Sequence, residues 1–168
     1  MTAKPGEAVT MACHGWIFGV VFCVSLWAGA ILSVEAGELR VNVEGLRNSD
    51  GLVRLALYDL PESFPVSDKA YALSNVPMPD KGLSVLFPDL PPGEYALAFF
   101  HDENNNNIFD KGFLGLPLEG FGFSNDAPVF FSAPSFAATA VTVGEGLTTI
   151  IVHVRYWSLE SPPEAEEK

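Results

Sequence analysis

Leu39-Arg-Val-Asn-Val-Glu44, followed after Asn48-Ser-Asp-Gly51 by Val53-Arg-Leu-Ala-Leu57, decides the fold class of this chain. Leu39, Val41 and Val43 alternate with Arg40, Asn42 and Glu44, and Val53, Leu55 and Leu57 repeat the same period of two. Side chains of a strand point to opposite faces in turn, so each run makes a strand with one apolar and one wet face. The Asn-Ser-Asp-Gly turn between them predicts that the two pair as a hairpin.

Working outward, no stretch beyond Gly37 holds a helical period for more than two turns, and short apolar runs alternate with Gly, Pro, Asn and Asp clusters. Leu60 to Lys81 carries four prolines and reads as a long loop with one helical turn around Ser67 to Leu73. A third strand is expected over Leu83 to Phe87, and Pro91-Pro-Gly93 turns the chain into a fourth. There Tyr95, Leu97 and Phe99 face one way, while Ala96, Ala98 and Phe100 on the other face are apolar too, which predicts a central strand covered on both sides. Gly120-Phe-Gly-Phe-Ser-Asn125 and a proline-bearing crossing follow. Two last strands are expected near Phe136 to Val143 and Leu147 to Tyr156, joined by Gly144-Glu-Gly146. The pattern is that of an all-β, Ig-like or transthyretin-like two-sheet β-sandwich of about seven strands with Greek-key connections.

The chain has 168 residues, enough for one domain with a real core. Residues 1–36 read as a signal peptide: Lys4, then an apolar run from Trp16 to Leu32, then Val34 and Ala36 as a signal-peptidase site before Gly37. Two alternatives stay open, a retained anchor and a true start at Met11. Both cysteines, Cys13 and Cys23, lie in this leader, so the mature domain, 37–158, has no disulfide or thiol chemistry and suits a periplasmic or secreted setting. Residues 159–168 form an acidic, proline-bearing tail expected to be disordered. Without Lys4, Glu7 and Glu35 the chain carries eight basic and 19 acidic residues, a net of about −11. Such a surface repels phosphate backbones and anionic headgroups, which argues against nucleic acid or membrane as a partner of the mature domain. An unidentified protein or polysaccharide partner is expected instead.

The chemistry concentrates in His101-Asp-Glu-Asn-Asn-Asn-Asn-Ile-Phe-Asp110. Asp102, Asn104, Asn106 and Asp110 stand at positions 1, 3, 5 and 9 of an EF-hand-type loop, with the Ile108 carbonyl at position 7. Phe113 occupies position 12, where a bidentate Glu is required, so a sixth ligand has to come from elsewhere or from water, and Glu119 is the nearest later carboxylate. Asn107 fills the sharp-turn position, which asparagine tolerates better than most residues. With only Asp102 and Asp110 as charged ligands the loop predicts calcium binding on the order of 10⁻⁴ to 10⁻³ M. The plain alternative is a polar loop whose Asn and Asp side chains cap their own backbone.

These words occur in a familiar order: Asp102 to Asp110, Phe113-Leu-Gly-Leu-Pro117, Glu119-Gly-Phe-Gly-Phe-Ser-Asn125 and Pro134-Ser-Phe136. The chain resembles the DUF2141 family over nearly all of its mature length. The resemblance implies a secreted bacterial module with no established activity. Two departures stand out: Asn105 and Asn107 where the family usually has glycine, and Ala137-Ala138 where it commonly has an acid. Phe87-Pro-Asp-Leu-Pro-Pro-Gly-Glu-Tyr95 is similar, at the level of fold only, to a turn in transthyretin-like and collagen-adhesin B-type sandwiches.

Material for catalysis is thin. A triad of Ser124, His101 and Asp102 lacks the Gly-x-Ser-x-Gly elbow that exposes a nucleophile, and Glu119 with Asp126 is the one carboxylate pair of interest for glycoside chemistry. His153 falls on the wet face of the last strand, and His101 ends the fourth strand as a rim residue bonding the loop backbone. Phe113, Phe121, Phe123, Phe130, Phe131 and Phe136 read as core and loop anchors rather than as a ligand platform. The expected protein is a non-catalytic, calcium-organised module, with a metal-independent adhesion module and a hydrolase as alternatives.

Overall fold

The computed structural model describes residues 35–78, 82–130 and 132–157. The segment expected to be a signal peptide, apart from Glu35 and Ala36, and the acidic tail lie outside the described residues. Eight strands form two sheets: β1 (Gly37–Glu44), β2 (Leu52–Tyr58), β3 (Ala72–Pro77), β4 (Leu83–Leu90), β5 (Gly93–Asp102), β6 (Gly120–Phe123), β7 (Val141–Val143) and β8 (Gly146–His153). One sheet runs β4-β1-β8. The other runs β3-β2-β5-β6, with β7 also paired to β5.

The apolar faces read from the alternation meet in one core. Leu39, Val41 and Val43 of β1 face Val53, Leu55 and Leu57 of β2, together with Leu83, Val85 and Phe87, Tyr95, Leu97 and Phe99, Val143 and Val152. Each fully buried side chain of this size contributes about 1.5–3 kcal/mol, so these faces, not the loops, hold the sheets together. β5 is central, as its two apolar faces predict: β2 pairs along one edge from Ala96 to Asp102, while β7 takes Gly93 to Tyr95 and β6 takes Ala98 to His101.

Several expectations are corrected. β1 and β2 are not a hairpin: β1 pairs antiparallel with β4 and parallel with β8, whereas β2 pairs with β3 and β5. The intervening turn crosses from one sheet to the other, so the two apolar faces oppose across the core. The 60–81 segment is not all loop. Its helical turn is a 3-10 turn of Ser67–Lys69, and β3 follows as an edge strand on β2. Pro77 is tolerated at its end because an edge strand has an unpaired side. Phe136–Thr139 is a helical turn, α1, capped by the Ser135 side chain accepting from the Ala138 amide, so the strand expected from Phe136 is only Val141–Val143.

The end of β8 fastens the sheets together. Val154 donates to the Glu44 carbonyl at 2.8 Å, and Arg155 and Phe121 exchange two backbone bonds at 2.8 and 2.9 Å. This route passes over β6, whose Gly122 lets the chain through. A Cβ at Gly122 would meet the Phe99 ring and the His153 carbonyl. Among the described residues no helix is long and apolar enough to cross a membrane.

Candidate functional site

β5 delivers His101 and Asp102 to the end of the sandwich where the turn joins β1 to β2, against Asp50 and Gly51 of that turn. Both are completely buried although they end a strand, Asp102 beneath the amides of the following loop and His101 against Asp50 and Tyr156. Asp102 lies in register with Leu52, the first residue of β2.

The loop is built on its own Asx side chains. Asp102 Oδ1 accepts the Asn106 amide at 3.0 Å, and Oδ2 accepts the Asn107 amide at 3.0 Å and Arg54 Nε at 2.5 Å. Asn104 Oδ1 also accepts from the Asn106 amide, and Asn106 Oδ1 accepts from the Ile108 amide. The amide groups of Asn104 and Asn106 converge on Asp110 Oδ2 at 2.7 and 2.8 Å. Asn105 (φ 58°) and Asn107 (φ 66°) take the left-handed conformation. Asparagine is one of the few non-glycine residues that does so readily.

Glu119 is returned to this loop by a short excursion. Leu118 donates to the Asp110 carbonyl at 3.0 Å, and Lys111 and Pro117 form an antiparallel bridge. Glu119 Oε2 then accepts the Asp110 amide at 3.1 Å. Its other oxygen, Oε1, is buried with no hydrogen-bond partner. Burial pushes the Glu119 carboxyl above its ordinary range, and the negative charges of Asp102 and Asp110 push it further, against the pull of the Asp110 and Glu103 amides. Burial also opposes ionisation of Asp102. Arg54 and the two loop amides outweigh it and hold Asp102 below its ordinary value.

Thus Asp102, Asn104, Asn106, Asp110 and Glu119 come together, with Ile108 in the same turn and its side chain exposed. Among the described residues no three His, Cys, Asp or Glu side chains are grouped closely enough to hold a metal by themselves. A cation here has to draw on the two asparagine amides and the main chain. Each amide oxygen has a second lone pair beyond the loop amide it already accepts. The donor set is all oxygen, which fits calcium and not zinc.

Around the loop, three contacts escaped the sequence reading. Glu103 turns away and takes a two-pronged bond from Arg47, Nε to Oε1 at 2.7 Å and Nη2 to Oε2 at 2.5 Å. That guanidinium stacks on Tyr156, 4.4 Å from the ring centroid. Phe109 packs against Phe100 and Phe121, at 5.4 and 5.7 Å between centroids, and so pins the far end of the loop to the outer face of the sheet. Arg54 is the third. Its outward position on β2 was legible, but its partner lies 48 residues away.

The residues considered for catalysis are occupied elsewhere. His101 bonds Tyr156 through Nδ1 at 2.8 Å and the Asp50 carbonyl through Nε2 at 2.6 Å, so it is buried rather than at the rim and bonds the β1–β2 crossing, not the backbone of the 102–110 loop as expected. Ser124 accepts the Leu97 amide at 2.9 Å and donates to the Thr139 carbonyl. Asp126 takes His153 Nδ1 at 2.6 Å and the His153 amide at 2.8 Å, whereas Glu119 serves the loop. His153 is half exposed on the wet face. Of the aromatics, Phe121, Phe123 and Phe136 are partly buried and belong to edge-on clusters, but Phe113 and Phe130 are exposed by 88% and 76%, which corrects their reading as anchors.

A family model described as "Uncharacterized protein conserved in bacteria (DUF2141)" matches residues 41–151. The chain belongs to the DUF2141 family. The matched span of this DUF2141 protein runs from β1 to β8 and includes the whole 102–110 loop and Glu119. No curated protein and no solved structure matches the chain.

Proposed function

We propose that this protein is a non-catalytic, secreted β-sandwich module whose 102–110 loop takes up calcium with low affinity, Asp102, Asn104, Asn106, Asp110, the Ile108 carbonyl and Glu119 serving as ligands. The observation that carries this reading is the buried, unpartnered Oε1 of Glu119, a carboxyl that feels the charges of Asp102 and Asp110. A buried carboxylate oxygen without a partner costs about 1–3 kcal/mol, and a hard cation offsets that cost while relieving the repulsion among Asp102, Asp110 and Glu119. The acidic surface favours cation uptake in the same direction.

Calorimetric titration with calcium and thermal melting test it together. At a tenfold excess over the dissociation constant, linkage predicts stabilisation of about 1.4 kcal/mol, which is about 5 °C for a domain of this size. Asp110→Asn is expected to abolish both signals. No heat and no melting shift at millimolar calcium sinks the reading. The metal-independent module is favoured by one observation, the three donors already on Asp102, and predicts that null result.

A further inference from the structure

We infer that Arg54 is the resident counter-ion of the 102–110 loop: it holds Asp102 when no cation is bound and sets how much calcium is needed to share that carboxylate. The inference rests on the calcium reading above. Arg54 projects from β2 on the face opposite the core, between the buried Val53 and Leu55. In the β2–β5 register it stands across from Phe100, two residues short of Asp102, which is the diagonal neighbour a long side chain reaches. Its Nε lies 2.5 Å from Asp102 Oδ2, with the Arg54 side chain 13% exposed and that of Asp102 not exposed at all.

A carboxylate buried this completely needs a compensating charge, and amide bonds alone do not supply one. Arg54 is the cation that touches it. The same charge works against a second cation arriving a few ångströms away on the other side of the carboxylate, since like charges repel and the screening is weak where both are shielded from water. Arg54 therefore stabilises the empty loop and weakens the filled one. A loop without it would be floppier when empty and greedier for calcium.

Calcium calorimetry and melting in chelator and in calcium, on the wild-type protein, R54Q and R54K, test this. R54Q removes the charge while keeping an N–H donor for Asp102. It is expected to melt below wild type in chelator, to bind calcium about tenfold more tightly, and to gain more in melting temperature when calcium is added. R54K keeps the charge and is expected to retain wild-type affinity. If R54Q is unfolded in chelator, calcium is expected to refold it, as read by circular dichroism. Wild-type binding with R54Q no tighter overturns the inference and leaves the calcium reading intact, as does an R54Q chain that stays unfolded at calcium levels that saturate wild type. An R54K variant that tightens as much as R54Q also overturns it, because geometry and not charge would then be the cause. Calcium binding by neither wild type nor R54Q removes both.

Discussion

The Nε2 atom of His101 lies 2.6 Å from the main-chain oxygen of Asp50, so the strand that launches the 102–110 loop is tied to the crossing between the two sheets. A carbonyl oxygen only accepts, so Nε2 donates to it, and Nδ1 pairs with the Tyr156 hydroxyl at 2.8 Å. His101→Leu keeps the bulk but removes the partner of the Asp50 carbonyl and leaves the Tyr156 hydroxyl with the Arg47 amide. The expected loss is about 2–4 kcal/mol, measurable by urea denaturation. A loss below the error of the extrapolation would show that neither bond matters to the fold.

Glu119→Gln is expected to act in opposite directions with and without calcium. Because the folded protein holds the Glu119 proton more tightly than the unfolded chain does, the stability it contributes is full below its unfolded value and is lost as pH rises through the folded one. In chelator the glutamine variant is therefore expected to melt above wild type at neutral pH and at about the wild-type temperature near pH 4. With millimolar calcium the order reverses, since the variant lacks a charged ligand. Melting curves across pH, in chelator and in calcium, read both signs.

Asp102 has the opposite linkage. Its folded value is depressed, so its stability is present above the unfolded value and is lost as pH falls through the folded one. Asp102→Asn is expected to flatten the acid limb of the stability curve while lowering stability at pH 7. An acid limb as steep as that of wild type would show that other carboxylates carry it.

Gly51 sits at φ +69° with its α-carbon against the Asp102 carbonyl, and a Cβ there overlaps that carbonyl. Gly51→Ala adds a clash to a conformation that already costs an L-residue about 1–2 kcal/mol, so a loss of at least about 2 kcal/mol is expected. Calcium affinity is expected to fall with it, because the displaced group is the backbone of the first ligand.

Leu114 takes φ 63° with its side chain 81% exposed, so it bears the strain of a left-handed residue with no burial in return. Leu114→Gly is expected to stabilise the domain by about 0.5 kcal/mol, the relief of strain exceeding glycine's entropy cost. Equilibrium denaturation of the variant beside wild type decides it.

Period-two alternation made β1, β2, β5 and β8 legible, because burial selects which residues face inward. It does not select partners. Two runs with the same alternation can pair within a sheet or oppose across a core, and β1 and β2 do the second. β3 was hidden because Leu73 is exposed while Ser74 is half buried, an inversion of the apolar pattern that an edge strand can bear. The α1 turn was announced only by Ser135, a cap residue read as part of a crossing. In the loop, spacing alone brought Asp102, Asn104, Asn106 and Asp110 together, and Glu119 lies where the nearest later carboxylate was sought. Arg54 and Arg47 were out of reach, since nothing local in a sequence pairs residues 48 and 56 positions apart.

The parallel pairing of β1 with β8 runs the full strand, from Gly37 against Gly146 to Glu44 against His153. β1 therefore waits for β8. Until β8 is synthesised, β1 has only β4 beside it and an open edge on its other side, and closing that gap joins residues more than a hundred apart along the chain. Contacts so distant in sequence make folding slow. The three-stranded sheet is completed only once β8 has been made, and chains cut short before Gly146 are left with an uncovered strand edge that invites pairing with another chain.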